Sequence, residues 1–228
     1  PELDWVGPEP RGIASVITPT GLGVYTIVEE DWEAVQNWEV HCPQPTQCIC
    51  SRFPEEGFGM YEFVFKDLRF RLPFSGFASG VFGWMNLAQS QLHPNSMAFL
   101  RAFELVCQYL EIEPIVPLFF RIFKLQRQPS KDGRHGWVSL KQQVKLFKMF
   151  VDSVRHFKER FYIVRPLTEL AMDSLFESEF VTNEDGSVRL DEEGVEMTRL
   201  VPRFLLCRTR EHFDKPTEYY LTKEETMS

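Results

Sequence analysis

The stretch that most constrains this chain is Ser90–Lys124, SQLHPNSMAFLRAFELVCQYLEIEPIVPLFFRIFK, which holds a helix start, an apolar stripe, a proline break and a second apolar run. Pro94 biases His93 away from helical angles, and Asn95 or Ser96 offers a side-chain oxygen to the first free N–H groups of the helix that follows. Phe99, Phe103, Val106 and Leu110 recur at spacings of four, three and four, which predicts one apolar helix face. Arg101, Glu104, Gln108 and Glu111 fall mostly on the other side. Pro114 suits the first turn of a second helix, where its missing N–H is not needed. Leu118, Phe119, Ile122, Phe123 and Leu125 then widen the apolar surface. The two segments are expected to pack as neighbours at the centre of a core.

Around that centre the pattern is mixed. Residues 1–23, with four prolines and four glycines, read as an irregular arm, and a short helix is expected from Glu29 to Trp38. Met60–Leu72 alternates as a bent strand or hairpin-like segment. Phe74–Leu87 returns to helical spacing, with Gly76, Gly80 and Gly83 placed to admit another element. A short strand is expected at Trp137 and Val138, then an amphipathic helix through positions 144, 147, 151, 154 and 157. Arg160–Arg165 is a β-type run expected to pair with the strand at Trp137. A helix over 167–180, a turn at Asn183–Gly186, a brief strand at Val188–Leu190 and a helix from 191 to about 200 complete the reading. The resulting fold class is mainly α with an α+β admixture: a compact helical domain with a small β-hairpin or short sheet. The expected division is an arm over 1–56, a core domain over 57–166 and a helical extension over 167–228.

Phenylalanine is abundant, at 21 of 228 residues, which implies a core built from aromatic rings. No run of eighteen apolar residues occurs, so no membrane span and no membrane partner are expected, and the first residues do not read as a secretory leader. The odd count of five cysteines points to reduced thiols in an intracellular compartment, nucleus or cytoplasm. The net charge of −8 hides a segregation. Residues 121–165 carry twelve basic and three acidic side chains, whereas 1–60 carry two and ten, and 166–228 carry seven and fifteen.

Catalytic chemistry has weak support. A metal-dependent nuclease needs converging carboxylates, yet the spacing of Asp67, Glu104, Asp152 and Glu159 does not select them over solvated surface residues. His41, Cys42, Cys48 and Cys50 are zinc-type ligands without a C-x-x-C knuckle, so loop thiols are the expectation. Gly21-Leu22-Gly23 lacks the rest of a phosphate loop. His93 is expected to bond locally at the helix start. No enzyme, metal or cofactor is expected. The candidate site is the basic segment, where Lys124, Arg127, Lys131, Arg134, Lys141, Lys145, Lys148, Arg155 and Lys158 alternate with aromatic residues and would attract phosphate backbones or an acidic partner.

Leu72-Pro73-Phe74, the run SQLHPNSMAFLRAFELVC over Ser90–Cys107, Leu110-Glu111-Ile112-Glu113-Pro114, Phe119–Lys124, Gly136-Trp137 and Phe157–Val164 together carry a resemblance. In this order and separation they resemble the plant gypsy-type transposon domain found in retrotransposon-derived proteins. One departure is Met97, where the family commonly has tryptophan. The resemblance implies an accessory or structural domain of a mobile element and transfers no catalytic residues. Joined to the charge segregation, it leads to the expectation of a non-enzymatic module that binds another protein or itself. The alternative is a nucleic-acid-binding accessory protein using the 121–165 face.

Overall fold

The computed structural model describes residues 12–18, 27, 36–53, 57–127, 137–148 and 154–208. Its elements are β1 (Trp38–His41), β2 (Phe58–Tyr61), α1 (Glu62–Lys66), α2 (Gly76–Met85), a 3-10 turn (Gln89–Gln91), α3 (Pro94–Tyr109) and α4 (Val116–Ile122). They continue with β3 (Phe123–Arg127), β4 (Val138–Gln142), β5 (Phe161–Pro166), α5 (Glu169–Leu175), β6 (Phe176–Phe180) and β7 (Thr198–Pro202). Five helices alternate with seven strands in three sheets among the described residues, so the fold is α+β, which corrects the expectation of a mainly helical domain. Strands this short hold too few alternations for their period to stand out against helical spacing.

The helix starts follow from local chemistry. Ser75 accepts the Ala78 N–H at 3.0 Å to cap α2, and Asn86, in a left-handed conformation, closes it. His93 itself caps α3, with Pro94 in its first turn; the cap sits two or three residues before the expected Asn95 or Ser96. The second helix begins two residues beyond Pro114, and Pro117 takes the first-turn role. Met60–Leu72, expected as a bent strand, is instead the end of β2 followed by α1. Phe63, Val64 and Phe65 are all buried there, and three consecutive buried residues erase the alternation that a half-exposed strand would need.

Strand β5 lies between β1 and β2, antiparallel to both, with Val164 opposite Val40 on one side and Phe58 on the other. Arg160–Arg165 therefore does not pair with the strand after Trp137. That strand, β4, pairs with β3, Leu125 facing Leu140. The buried Ser96 hydroxyl accepts the Leu140 N–H at 2.7 Å and His93 N–H donates to Val138 O at 2.8 Å, which fix this hairpin against the start of α3.

The core is aromatic, as the composition implied. Phe119, fully buried, sits with its ring centre 5.6 Å from Phe77, 5.4 Å from Phe103 and 4.7 Å from Phe123. One cluster joins residues from Ile27 through Phe204. Gly83 of α2 is the closest approach: a Cβ there would meet the Arg203 carbonyl oxygen at 2.4 Å, so only glycine lets the chain after β7 lie against this helix.

One expected helix of the C-terminal part is absent and another is shortened. The helix from 191 to about 200 is replaced by a turn and β7, because the Asp191 carboxylate accepts the N–H groups of Glu193 and Val195, both at 2.9 Å, and Gly194 turns the chain at φ 83°. The same acceptor chemistry starts helices and turns, and the following glycine decides between them. The helix of 167–180 is halved: α5 ends at Leu175 and β6 follows directly. The turn at Asn183–Gly186 forms, and Val188 and Leu190 make bridges. The expected helix Glu29–Trp38 lies mostly outside the described residues, although Trp38 opens β1.

Candidate functional site

The basic segment does not form one helical face. Among the described residues 143–148 and 154–160 there is no helix. The cause is Gln142, whose side-chain oxygen accepts the Leu146 and Phe147 N–H groups at 3.0 and 2.7 Å, while its amide donates to Phe147 O at 2.8 Å. This turn sends Phe147 inward against Phe99 and Phe123 and leaves Val144 and Leu146 exposed.

The cations are consequently dispersed. Lys124 and Lys141 stand directly opposite each other on the outer face of the β3–β4 hairpin, because Phe123, Leu125, Val138 and Leu140 take the inner one. Lys145 and Lys148 are exposed on the irregular chain beyond, and Arg155 is exposed in a turn. Lys158 is half-buried, its ammonium 4.7 Å over the Trp137 ring. Arg127 pairs its backbone with Val138, and its side chain, with Lys131 and Arg134, lies outside the described residues.

Helix α3 carries a surface that the apolar spacing concealed. Phe99 and Phe103 are buried as expected, but Val106 is 42% and Leu110 56% exposed. The buried row runs through Ser96, Phe99, Leu100, Phe103 and Cys107; the far side presents Leu105 and Tyr109, the latter 86% exposed, with Val106 exposed at the edge between them. Ile112, Ile115 and Leu118 continue this apolar surface across the connection into α4. A helix apolar on both sides is ordinarily covered on both.

A third surface is acidic. The β6–β7 ribbon is exposed along nearly its whole length and carries the Glu177–Arg203 and Glu179–Arg199 ion pairs near its base, at 3.3 and 2.8 Å. Between α2 and that base lies a groove of about 470 Å³, lined by Ser79, Gly83, Trp84, Ser174 and Arg203 among others.

The polar residues considered for catalysis are occupied separately. Glu104 accepts from Ser75 and lies 3.4 Å from Arg101, Glu159 pairs with His156 at 3.1 Å, Asp67 closes α1, and Asp152 lies outside the described residues. Among the described residues, no group of three His, Cys, Asp or Glu is placed to hold a metal ion. Cys48 and Cys50 are buried together. The Cys48 thiol is drawn well below its ordinary range chiefly by the Cys50 hydrogen bond, with Ser51 and Arg208 adding and burial opposing. The partner thiol of Cys50, which holds the proton, is pushed up.

Arg208, invisible as a site in sequence because its partners are so distant, is buried beside this pair. It donates to Tyr61 Oη at 2.9 Å, to the Ser90 hydroxyl at 3.3 Å and to the Ser90 carbonyl, and lies 5.3 Å over Trp137. Trp137 in turn donates to Tyr61 Oη at 3.1 Å. These contacts anchor the chain beyond the ribbon.

His93 performs the local task expected of it: its Nδ1 accepts the Asn95 N–H at 3.3 Å. That bond requires an unprotonated Nδ1, and burial, with Lys158 nearby, holds the ring below its ordinary value of 6.5. The unfolded chain therefore takes up protons first, so the His93 contribution is full above 6.5 and is lost as pH falls through the lowered value. His93→Asn keeps a cap acceptor without titrating. Wild type should lose stability relative to this variant from pH about 7 to about 5 in thermal unfolding; parallel curves would contradict this role.

Fold and surface together define an α+β protein with a dense aromatic core and three exposed faces of distinct chemistry: lysine-bearing, apolar and acidic. Residues 63–127, somewhat over a quarter of the chain, match the model of the family described as "Putative gypsy type transposon". The match runs from α1 to the end of β3, over the aromatic centre, while Gly136-Trp137, Phe157–Val164 and the acidic ribbon lie beyond it. No curated protein and no solved structure matches the chain. Among the described residues no helix is long and apolar enough to cross a membrane.

Proposed function

We propose that this chain is a non-enzymatic, intracellular interaction module derived from a plant retrotransposon, and that its principal partner is a second copy of itself. The observation that carries this reading is the outer face of α3. Leu105 and Tyr109 lie on the far side of α3 from the core row and Val106 flanks it, so water contacts apolar surface on a helix already buried on its other side. An exposed apolar patch of this kind ordinarily marks an interface. The segregation of charge between the middle and the C-terminal part supplies complementary surfaces for copies of one chain.

Light scattering across protein concentration tests this reading. Wild type should assemble, and Leu105→Glu with Tyr109→Glu should shift it toward monomer while leaving the melting temperature nearly unchanged, since both residues are exposed. A wild type that stays monomeric at all concentrations and salt levels would overturn it. The second reading is nucleic-acid binding, favoured by the Lys124–Lys141 pair. It predicts affinity that falls steeply with salt and weakens on reversal of those lysines.

A further inference from the structure

Two surfaces remain unused by the α3 contact: the ribbon and the outer face of the β3–β4 hairpin. We infer that the acidic end of the ribbon in one copy of this chain seats on the lysine-bearing face of the hairpin in a second copy, joining copies head to tail. This inference rests on the self-association reading and names a second contact within it.

Among the described residues, strands β6 and β7 pair only with each other. Beyond them the chain doubles back: Arg189 N–H donates to Val181 O at 2.7 Å and Met197 N–H to Arg189 O at 2.9 Å, which gives the end of the ribbon a third short segment. Such small sheets are marginal alone in water. This one nevertheless exposes Phe180, Leu190, Val195 and Leu200, the last by 62%. Apolar groups mixed with carboxylates on one element fit a protein surface better than a phosphate backbone.

Charge selects which surface. Between residues 184 and 196 there are six carboxylates and one arginine. Glu177 and Glu179 are already paired, but Glu192, Glu193 and Glu196 make no ion pair among the described residues. On the hairpin, Lys124 and Lys141 occupy directly opposed positions, where like charges repel and destabilise the strand pair. Among the described residues from 114 to 148 there is no acidic side chain to relieve them. An acidic partner removes that repulsion. The net charge of −8 opposes long-range approach of nucleic acid but not a local contact between oppositely charged patches.

Because the two surfaces differ, the contact is heterologous: every joined copy keeps one free ribbon end and one free hairpin, and assembly continues until it closes into a ring or extends as a chain. It is also screened by salt, whereas the apolar α3 contact is not, which separates the two experimentally.

The test is a charge exchange. Glu192→Lys, Glu193→Lys and Glu196→Lys form one variant, and Lys124→Glu with Lys141→Glu the other. Each alone should show low-salt self-association weakened by on the order of tenfold, matching wild type at about 0.5 M salt, where screening reaches about 4 Å. Mixed in equal amounts, the two should regain the salt-sensitive assembly, because a lysine-bearing ribbon then meets a glutamate-bearing hairpin. Melting curves like wild type show that each variant is folded, and Lys124→Gln with Lys141→Gln replaces the second if it is not. Unchanged association in the single variants, or a mixture that regains nothing, overturns the inference. If association survives these reversals yet falls with Tyr109→Glu, the α3 reading stands and this contact does not. If the hairpin variant loses binding only to a short RNA, that face serves nucleic acid and the inference falls.

Discussion

Phe119→Ala is expected to cost about 3–5 kcal/mol, the range for truncating a buried aromatic ring. For a chain of this size that lowers the unfolding midpoint by roughly 6–20 °C. The reason lies in its neighbours: Phe77, Phe103, Phe120 and Phe123 surround the ring with centres 4.7 to 5.6 Å away, and these come from α2, α3, α4 and β3. No single neighbour can swing in to fill the space without abandoning its own packing, so most of the cavity persists. Leu118→Ala, one residue earlier and exposed, is the control and should stay within about 0.5 kcal/mol of wild type. A Phe119→Ala protein melting with wild type would mean that these helices do not share one core.

Arg208→Leu is expected to cost about 2–4 kcal/mol, since it deletes a buried, hydrogen-bonded charge and strips its bonds from the buried acceptors of Ser90. Those acceptors are the hydroxyl and carbonyl of Ser90, which is buried, whereas the Tyr61 hydroxyl keeps its bond from Trp137. Lysine at this position should recover only part of the loss, because an ammonium cannot reproduce the planar fork that spans Tyr61 and Ser90 while stacking on Trp137. Hydrogen exchange gives the sharper readout. Loss of this anchor should raise exchange in β6 and β7 before it raises exchange in α3, because Arg208 ties down the chain where it leaves the ribbon. Uniform exchange across both regions would assign Arg208 to global stability alone.

Much of the central fold was legible because its signals are local. The α3 start needs only His93, Pro94 and the residues after them, and α2 needs only Ser75 and helical spacing up to Asn86. The aromatic character of the core follows from phenylalanine abundance. The acidic turn at Asn183–Gly186 was readable for the same reason, whereas Asp191–Gly194 was misread as a helix start because both begin with the same side-chain acceptor.

The surfaces were less legible. Val106 and Leu110 continue the stripe of Phe99 and Phe103 by spacing, yet they fall at the C-terminal end of α3, and only the placement of the neighbouring elements decides that the core does not reach them. The basic helix failed because Gln142 bonds to Leu146 and Phe147 and bends the chain before a helical turn can form. Cationic residues that a helix would have aligned are distributed over a hairpin, an irregular segment and the buried edge of Trp137.

The sequence by itself determined, to within two or three residues, where α2 and α3 start, that the core would be aromatic and that charge would divide between the middle and the end of the chain. Each of these depends on residue type and near neighbours. Tertiary structure alone decided that Arg160–Arg165 pairs with β1 and β2, that Arg208 meets Tyr61 across 147 residues, and that one face of α3 stays in water. Strand pairing and burial depend on which distant elements arrive to compete for the same surface, and that competition is settled by packing around Phe119 and its neighbouring rings.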